Sequence, residues 1–379
     1  MEIEKDKDRR LKISSEWKRT LLRLLWLLLI PFAFLMAELA SQYPYVVETV
    51  YTNGIYPVIS TAVGKVFGLL PFSFAEFLIY ALLGLLALWI VVTIYKAIKR
   101  SLKAIRLVRT LISYAIVVAV AINAFYFMWG FNYYRLSVAY SLGIELKERD
   151  TQELADLCVS LAYAANTLRE EVPEDERGVF AYDKDTNEVL QEIPSAYNNL
   201  GEIHPQFEHE IEIPAPKPVV ASEAMSWAGI SGIFIPFTEE ANVNVHQDDL
   251  LLASSAAHES AHFMGVARED EANFVSFLAC LSSDDPSIQY SGVMLGLIHA
   301  GNALADVSPE AYSQLRALYS DGVKLDLSAH SAYWKQYEGK AEEVVTQMND
   351  NYLKQHKQED GVQSYGRMVD LMLAYYDDV

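Results

Sequence analysis

Three long apolar runs dominate the first third of the chain. Residues 21–40 are charged only at Arg23 and Glu38, residues 72–95 only at Glu76, and residues 111–131 not at all. Each is close to the ~20 residues that a helix needs to cross the hydrocarbon core of a bilayer. A single run of this kind fits a buried soluble helix, but three in succession predict a transmembrane region over 21–131, preceded by a short segment 1–20. The first run is long, and no small-x-small site precedes a mature start, so it reads as a retained anchor rather than a cleaved leader.

Beyond residue 131 the pattern changes. Leu154, Leu157, Leu161 and Leu168 recur at helical spacing and predict a helix over 151–171, ended by Pro173. Ile211 to Lys217, with Pro214 and Pro216, reads as an extended connector. Gly232 to Phe237 is the best strand in this part, and Pro236, which has no N–H to donate, places it at a sheet edge or a strand end. Asp248 then caps a helix over 249–264 that Gly265 stops, and a second helix covers 269–281, limited by Pro286. Further helices are expected over 288–305, 309–319, 327–348 and 363–376. The fold class is therefore mainly α: three transmembrane helices, then an α+β domain over 132–379 with a small sheet.

Charge sharpens this division. Of 30 basic and 50 acidic side chains, residues 1–131 hold 15 and 8, net +7, which leaves net −27 for residues 132–379. Such an acidic chain lacks the basic footprint that nucleic acid requires. Seven Lys/Arg fall in residues 1–20 and six, with no acid, in residues 96–109, whereas the loop 41–71 has only Lys65. By the positive-inside rule the N-terminus and the second linker are cytoplasmic and the acidic domain is outside, with the bilayer as an obligatory partner. Tyr126, Trp129, Tyr133 and Tyr134 supply interfacial rings at the end of the third span. No charged pair lies at mid-span, which argues against an intramembrane ion path.

The chemistry is concentrated in His258-Glu259-Ser260-Ala261-His262, an H-E-x-x-H on the predicted helix 249–264. Residues four apart share one helical face, so both imidazoles can bind one metal ion, with Glu259 beside it to take a proton from water. A catalytic zinc has three protein ligands, and the third should come from the next helix. Glu269 is the preferred ligand because it shares a face with the small residues Ala272, Asn273, Ser276 and Cys280. Glu271, on a face with Phe274, Val275 and Leu278, is the alternative. Asn273 is placed to orient a histidine through its second nitrogen. Tyr290, His299, Tyr365 and Arg367 are candidates for stabilising an oxyanion. Glu239, Glu240 and Asn244 are expected to shape a loop facing the cleft, and His204, His209, His246 and His330 to be structural or solvated. Cys158 and Cys280 either form one disulfide or stay as buried thiols.

H-E-x-x-H followed by Glu269-x-x-Ala272-Asn273 resembles the gluzincin zinc metallopeptidases, although only six residues separate His262 from Glu269. Taken with the three spans, Pro236 to Asn244, Tyr290-Ser291-Gly292 and Asp360 to Arg367, the chain also resembles an uncharacterised bacterial family of membrane proteins with a predicted zinc peptidase domain. The resemblance implies a Zn2+ held by His258, His262 and Glu269, Glu259 as catalytic base, and a strand upstream that binds extended peptide. The expected function is a zinc-dependent endopeptidase at the outer face of a bacterial cytoplasmic membrane, acting on membrane or exported polypeptides. A catalytically silent metal-binding scaffold or sensor, and a zinc hydrolase of non-peptide amides or esters, are the alternatives.

Overall fold

In the computed structural model, which describes residues 18, 20–99, 104–147, 149–208, 212–355 and 367–378, three helices are long and apolar enough to cross a membrane. The first, α1 (Thr20–Gln42), is interrupted by a 3-10 turn at Leu25–Leu28. A π-helix (Val47–Ile55) and α2 (Tyr56–Gly68) lead from it to α3 (Phe74–Ile98), which is followed by α4 (Ala104–Met128). Leu82, Leu83, Leu85 and Leu88 on α3 are exposed, as lipid-facing side chains are. The third span lies a few residues earlier than 111–131, because the chain turns into a 3-10 segment at Gly130–Tyr134.

The remaining elements are α5 (Val138–Leu142), α6 (Thr151–Arg169), α7 (Thr186–Ile203), β1 (Lys217–Pro218), α8 (Ser222–Trp227), β2 (Gly232–Ile235) and β3 (Glu240–Val243). Then come α9 (Leu252–Phe263), α10 (Glu269–Leu281), α11 (Pro286–Val307), α12 (Pro309–Leu318), α13 (Asp321–Lys335), α14 (Lys340–Gln355) and α15 (Arg367–Asp378). Helix α11 packs against α6 and α10, and α9 lies between α10 and the sheet. Phe274, Phe277, Ile288, Met294 and Leu297 are fully buried where these helices meet.

The single helix expected over 327–348 is two. Ser320 accepts a hydrogen bond from the Val323 N–H and starts α13 early, and the chain breaks between Lys335 and Lys340 around Gly339. Helix α7 escaped the periodicity reading, although Asp185 and Glu188 form a reciprocal capping box at its start. Residues 363–366 of the last expected helix, with Tyr365, lie outside the described residues, as does His209.

The sheet has the order β1-β3-β2, with β1 parallel and β2 antiparallel to β3. β2 is thus an edge strand, as Pro236 just beyond it requires. The Asn244 N–H donates to Ser231 O at 2.9 Å. Because antiparallel pairs alternate, Ile233 and Ile235 bond to β3, while the backbone groups of Gly232 and Phe234 face the free edge.

The two parts of the chain interlock. Glu240 on β3 accepts from the N–H groups of Phe74 and Ala75 (2.9 and 2.8 Å), in the first turn of α3, and from Lys217 Nζ at 2.7 Å. Glu76 in turn accepts from the N–H groups of Val220 and Ala221, both at 2.8 Å. Glu239, in the left-handed region at φ 50°, is buried and stands 3.0 Å from Tyr56 Oη. Asn244 donates to Ile230 O at 2.9 Å. None of the three forms a loop facing a cleft: Glu239 and Glu240 fasten the sheet to the membrane region, and Asn244 braces the sheet internally.

Candidate metal centre

Helix α9 ends in a manner that sets up the centre. Gly265 adopts φ 79°, open to glycine at no steric cost; its N–H bonds to His262 O and the Val266 N–H to Ala261 O. These are the two bonds of a Schellman stop. The reversal brings Val266 O to 2.7 Å from His262 Nδ1 and lets α10 start after only six residues. Trp129 Nε1 donates to His262 O (2.8 Å), Tyr56 Oη to Phe263 O (2.7 Å) and Arg135 to Gly265 O (3.2 Å). The last carbonyls of α9, which have no partner within the helix, are thus met by side chains from the membrane region and the segment just after it.

Among the described residues, one group of three or more His, Cys, Asp or Glu is disposed to hold a metal ion: His258, His262 and Glu269, with one ligand atom of each within 4.8 Å of the others. His258 Nε2 lies 3.1 Å from Glu269 Oε2, and His262 Nε2 lies 3.7 Å from Glu269 Oε1. Two ligands at ordinary zinc bond lengths on a tetrahedral ion stand about 3.4 Å apart, so the residues fit a zinc ion. The second nitrogens are also engaged. His262 Nδ1 donates to Val266 O, and His258 Nδ1 lies 2.8 Å from Asn273 Oδ1. Both Nε2 atoms are therefore directed at the shared position, the tautomer that ligation needs.

The electrostatics agree. Burial opposes a charge on His258, but the hydrogen bond and negative charge of Glu269 push its pKa up to about 9. Burial pushes His262 down to about 4 against the pull of Glu269. Burial likewise favours a neutral Glu269, yet the His258 hydrogen bond and the two imidazoles hold it below the usual carboxylate range. One positive charge belongs among these three residues; without metal it is a proton on His258, which a metal ion would displace.

Glu259 is buried beneath β2. Burial pushes its pKa up to about 8, Glu269 adds to this, and His258 and a hydrogen bond from the Phe234 backbone N–H oppose it. A Cβ at Gly232 would stand 2.5 Å from Glu259 Oε1; only glycine permits this approach. The base of the motif thus lies directly against the free edge of the strand.

Several expected residues are placed elsewhere. Glu271 accepts from the Val138 N–H and from Arg268 Nη1, both at 3.0 Å, and so holds α5 rather than joining the cluster. Tyr290 is buried and donates to Asp326 Oδ2 at 2.7 Å; Arg169 Nε approaches the same oxygen at 2.6 Å. It ties α6, α11 and α13 together and offers nothing to an oxyanion. His299 is half-buried on α11. Arg367 starts α15, where its charge acts on Asp270 and Asp370. His204, His246 and His330 pair with Tyr375, Tyr333 and Asp248. Cys158 and Cys280 are both free and buried, and burial pushes each thiol up to about 12; the disulfide option is not realised.

Sequence reading missed Gly232, Trp129 and Tyr56 as parts of the centre. Trp129 is the clearest omission: beyond its hydrogen bond, its ring stands edge-on to His262 and against Phe234, so one indole braces both a ligand and the strand. The fold and the cluster define a mainly helical protein with three helices able to span a membrane and a partly buried His-His-Glu cluster bonded to their ends. Residues 51–373 match the model of a family described as Protein of unknown function (DUF3810), and the chain belongs to that family. No curated protein and no solved structure matches the chain.

Proposed function

We propose that this protein is a membrane-anchored zinc metalloendopeptidase of gluzincin type, with its centre on the outer face of a bacterial cytoplasmic membrane. The observation that carries the reading is the convergence of His258 Nε2, His262 Nε2 and a Glu269 carboxylate oxygen, with each imidazole fixed through its other nitrogen. The cation-rich segments 1–20 and 96–109 support the orientation. Zinc, when bound, supplies a Lewis acid and lowers the pKa of a water molecule.

The chain's own residues do the rest. The free edge of β2 offers the Gly232 backbone groups and the Phe234 carbonyl to an extended peptide, which would add as a further strand, while the Phe234 N–H holds Glu259. Glu259, beside that edge, takes the proton of the attacking water on its carboxylate and passes it to the leaving amine nitrogen. Low dielectric strengthens each of these interactions. The edge strand favours peptide over other amides and esters, and the presence of Glu259 favours an enzyme over a silent metal scaffold.

Metal analysis of the purified protein tests the reading. One zinc per chain is expected, removable by chelators, and His258→Ala should abolish it. Asn273→Ala should weaken zinc binding about 10- to 100-fold, as loss of a group that orients a ligand does, with the fold retained by circular dichroism. Wild type that binds no zinc would overturn the proposal.

A further inference from the structure

The sheet beside the metal centre is bonded to the mouth of the second span. Glu240, Glu76 and Lys217 connect β1, β3 and residues 220–221 to residues 67–76, Lys217 through Phe67 O at 2.5 Å. On the other flank Trp129, the residue after α4 ends, holds His262. Two span ends therefore fix the height of the centre above the hydrocarbon core.

Around that mouth the surface is apolar. Leu69 is 84 % exposed and Val220 78 %, and Phe72 and Phe237 are also exposed. Phe237 stands in the β2–β3 turn, three residues from Glu240, and Leu69 and Phe72 lead directly into α3. Of the charged groups nearby, Glu76, Lys217, Glu239 and Glu240 are turned inward and buried, while Lys65 and Glu223 stay exposed at the margins of the rim. No charged residue occurs between Lys65 and Glu76. Large side chains exposed together, with four charges withdrawn beneath them and the exposed ones at the margin, mark a surface that water does not cover. This one is continuous with a transmembrane helix, which identifies its occupant as lipid.

We propose that the rim formed by Leu69, Phe72, Val220 and Phe237 rests in the headgroup layer, so that the free edge of β2 opens at the membrane surface. The substrate is then a polypeptide segment lying against or emerging from the bilayer. This substrate class rests on the peptidase reading; the lipid-facing rim does not.

Nitroxide labels at Phe237→Cys and Val220→Cys, in phosphatidylcholine vesicles, test the rim. Cys158 and Cys280 are buried, so labelling is directed to the introduced thiols. The ratio of collisions with oxygen to those with a water-soluble nickel chelate should fall between that of a label at Leu85→Cys, within α3, and one at Glu310→Cys, on α12. A ratio matching Glu310→Cys at either rim position overturns the proposal. A fluorogenic peptide on a palmitoyl anchor tests the substrate class: cleavage should slow several-fold when a short spacer is replaced by a long flexible one. Equal or faster cleavage overturns it, and no cleavage with either spacer overturns the peptidase reading instead. The label ratios require neither metal nor activity, so the rim and the zinc site stand or fall separately.

Discussion

Glu259→Gln should retain one zinc per chain and lose peptide hydrolysis by roughly two to four orders of magnitude, the usual contribution of a positioned general base. Glutamine occupies nearly the same volume, and its amide oxygen can accept the hydrogen bond from the Phe234 N–H. Glu259 is also not among the three clustered ligands. The substitution therefore removes the proton acceptor while sparing the strand and the metal. Zinc content by elemental analysis and the hydrolysis rate of a fluorogenic casein would be read on the same preparation. Undiminished hydrolysis would remove Glu259 from the mechanism, and loss of zinc would assign it to building the centre.

Glu240→Ala should be the most destabilising single change at the junction of the two parts, by about 3–5 kcal/mol, because it breaks a buried ion pair from one side. The Glu240 and Lys217 side chains are only 1 % and 6 % exposed. Without the carboxylate, the Lys217 ammonium keeps only the Phe67 carbonyl, and the Phe74 and Ala75 N–H groups lose their acceptor at the positive end of α3. Glu240→Gln, which keeps an acceptor oxygen but not the charge, should fall between wild type and Glu240→Ala. Thermal unfolding in a bilayer mimetic would measure both. An unchanged unfolding temperature in Glu240→Ala would mean that the sheet is held to the spans by packing alone.

Features that depend on local sequence were legible before the structure. The spans follow from uninterrupted apolar length, and α9 from its glycine stop and its spaced histidines, although Asp248 caps a 3-10 turn (Asp249–Leu251) that precedes α9 rather than α9 itself. The preference for Glu269 over Glu271 rested on the small side chains that share its helical face, and the structure places Glu269 in the cluster and Glu271 against Val138. What was hidden depends on partners distant in the chain. β3 is fully buried yet reads Glu-Ala-Asn-Val, because its acid is satisfied by a lysine and by a helix start more than 160 residues away. Tyr290 looked like a free phenol only while Asp326 was unseen. The carbonyl that fixes His262 belongs to the backbone of Val266, which no side-chain motif encodes.

The junction also bears on where one functional module ends. Two of the donors to the last carbonyls of α9, Tyr56 and Trp129, precede residue 132, and the family match begins at residue 51. Transplanting residues 132–379 onto an unrelated anchor would remove those two donors and leave the Lys217–Glu240 pair without its seat on α3. The smallest portable unit is thus the spans and the acidic domain together, and a fragment designed for solubility would be a different molecule.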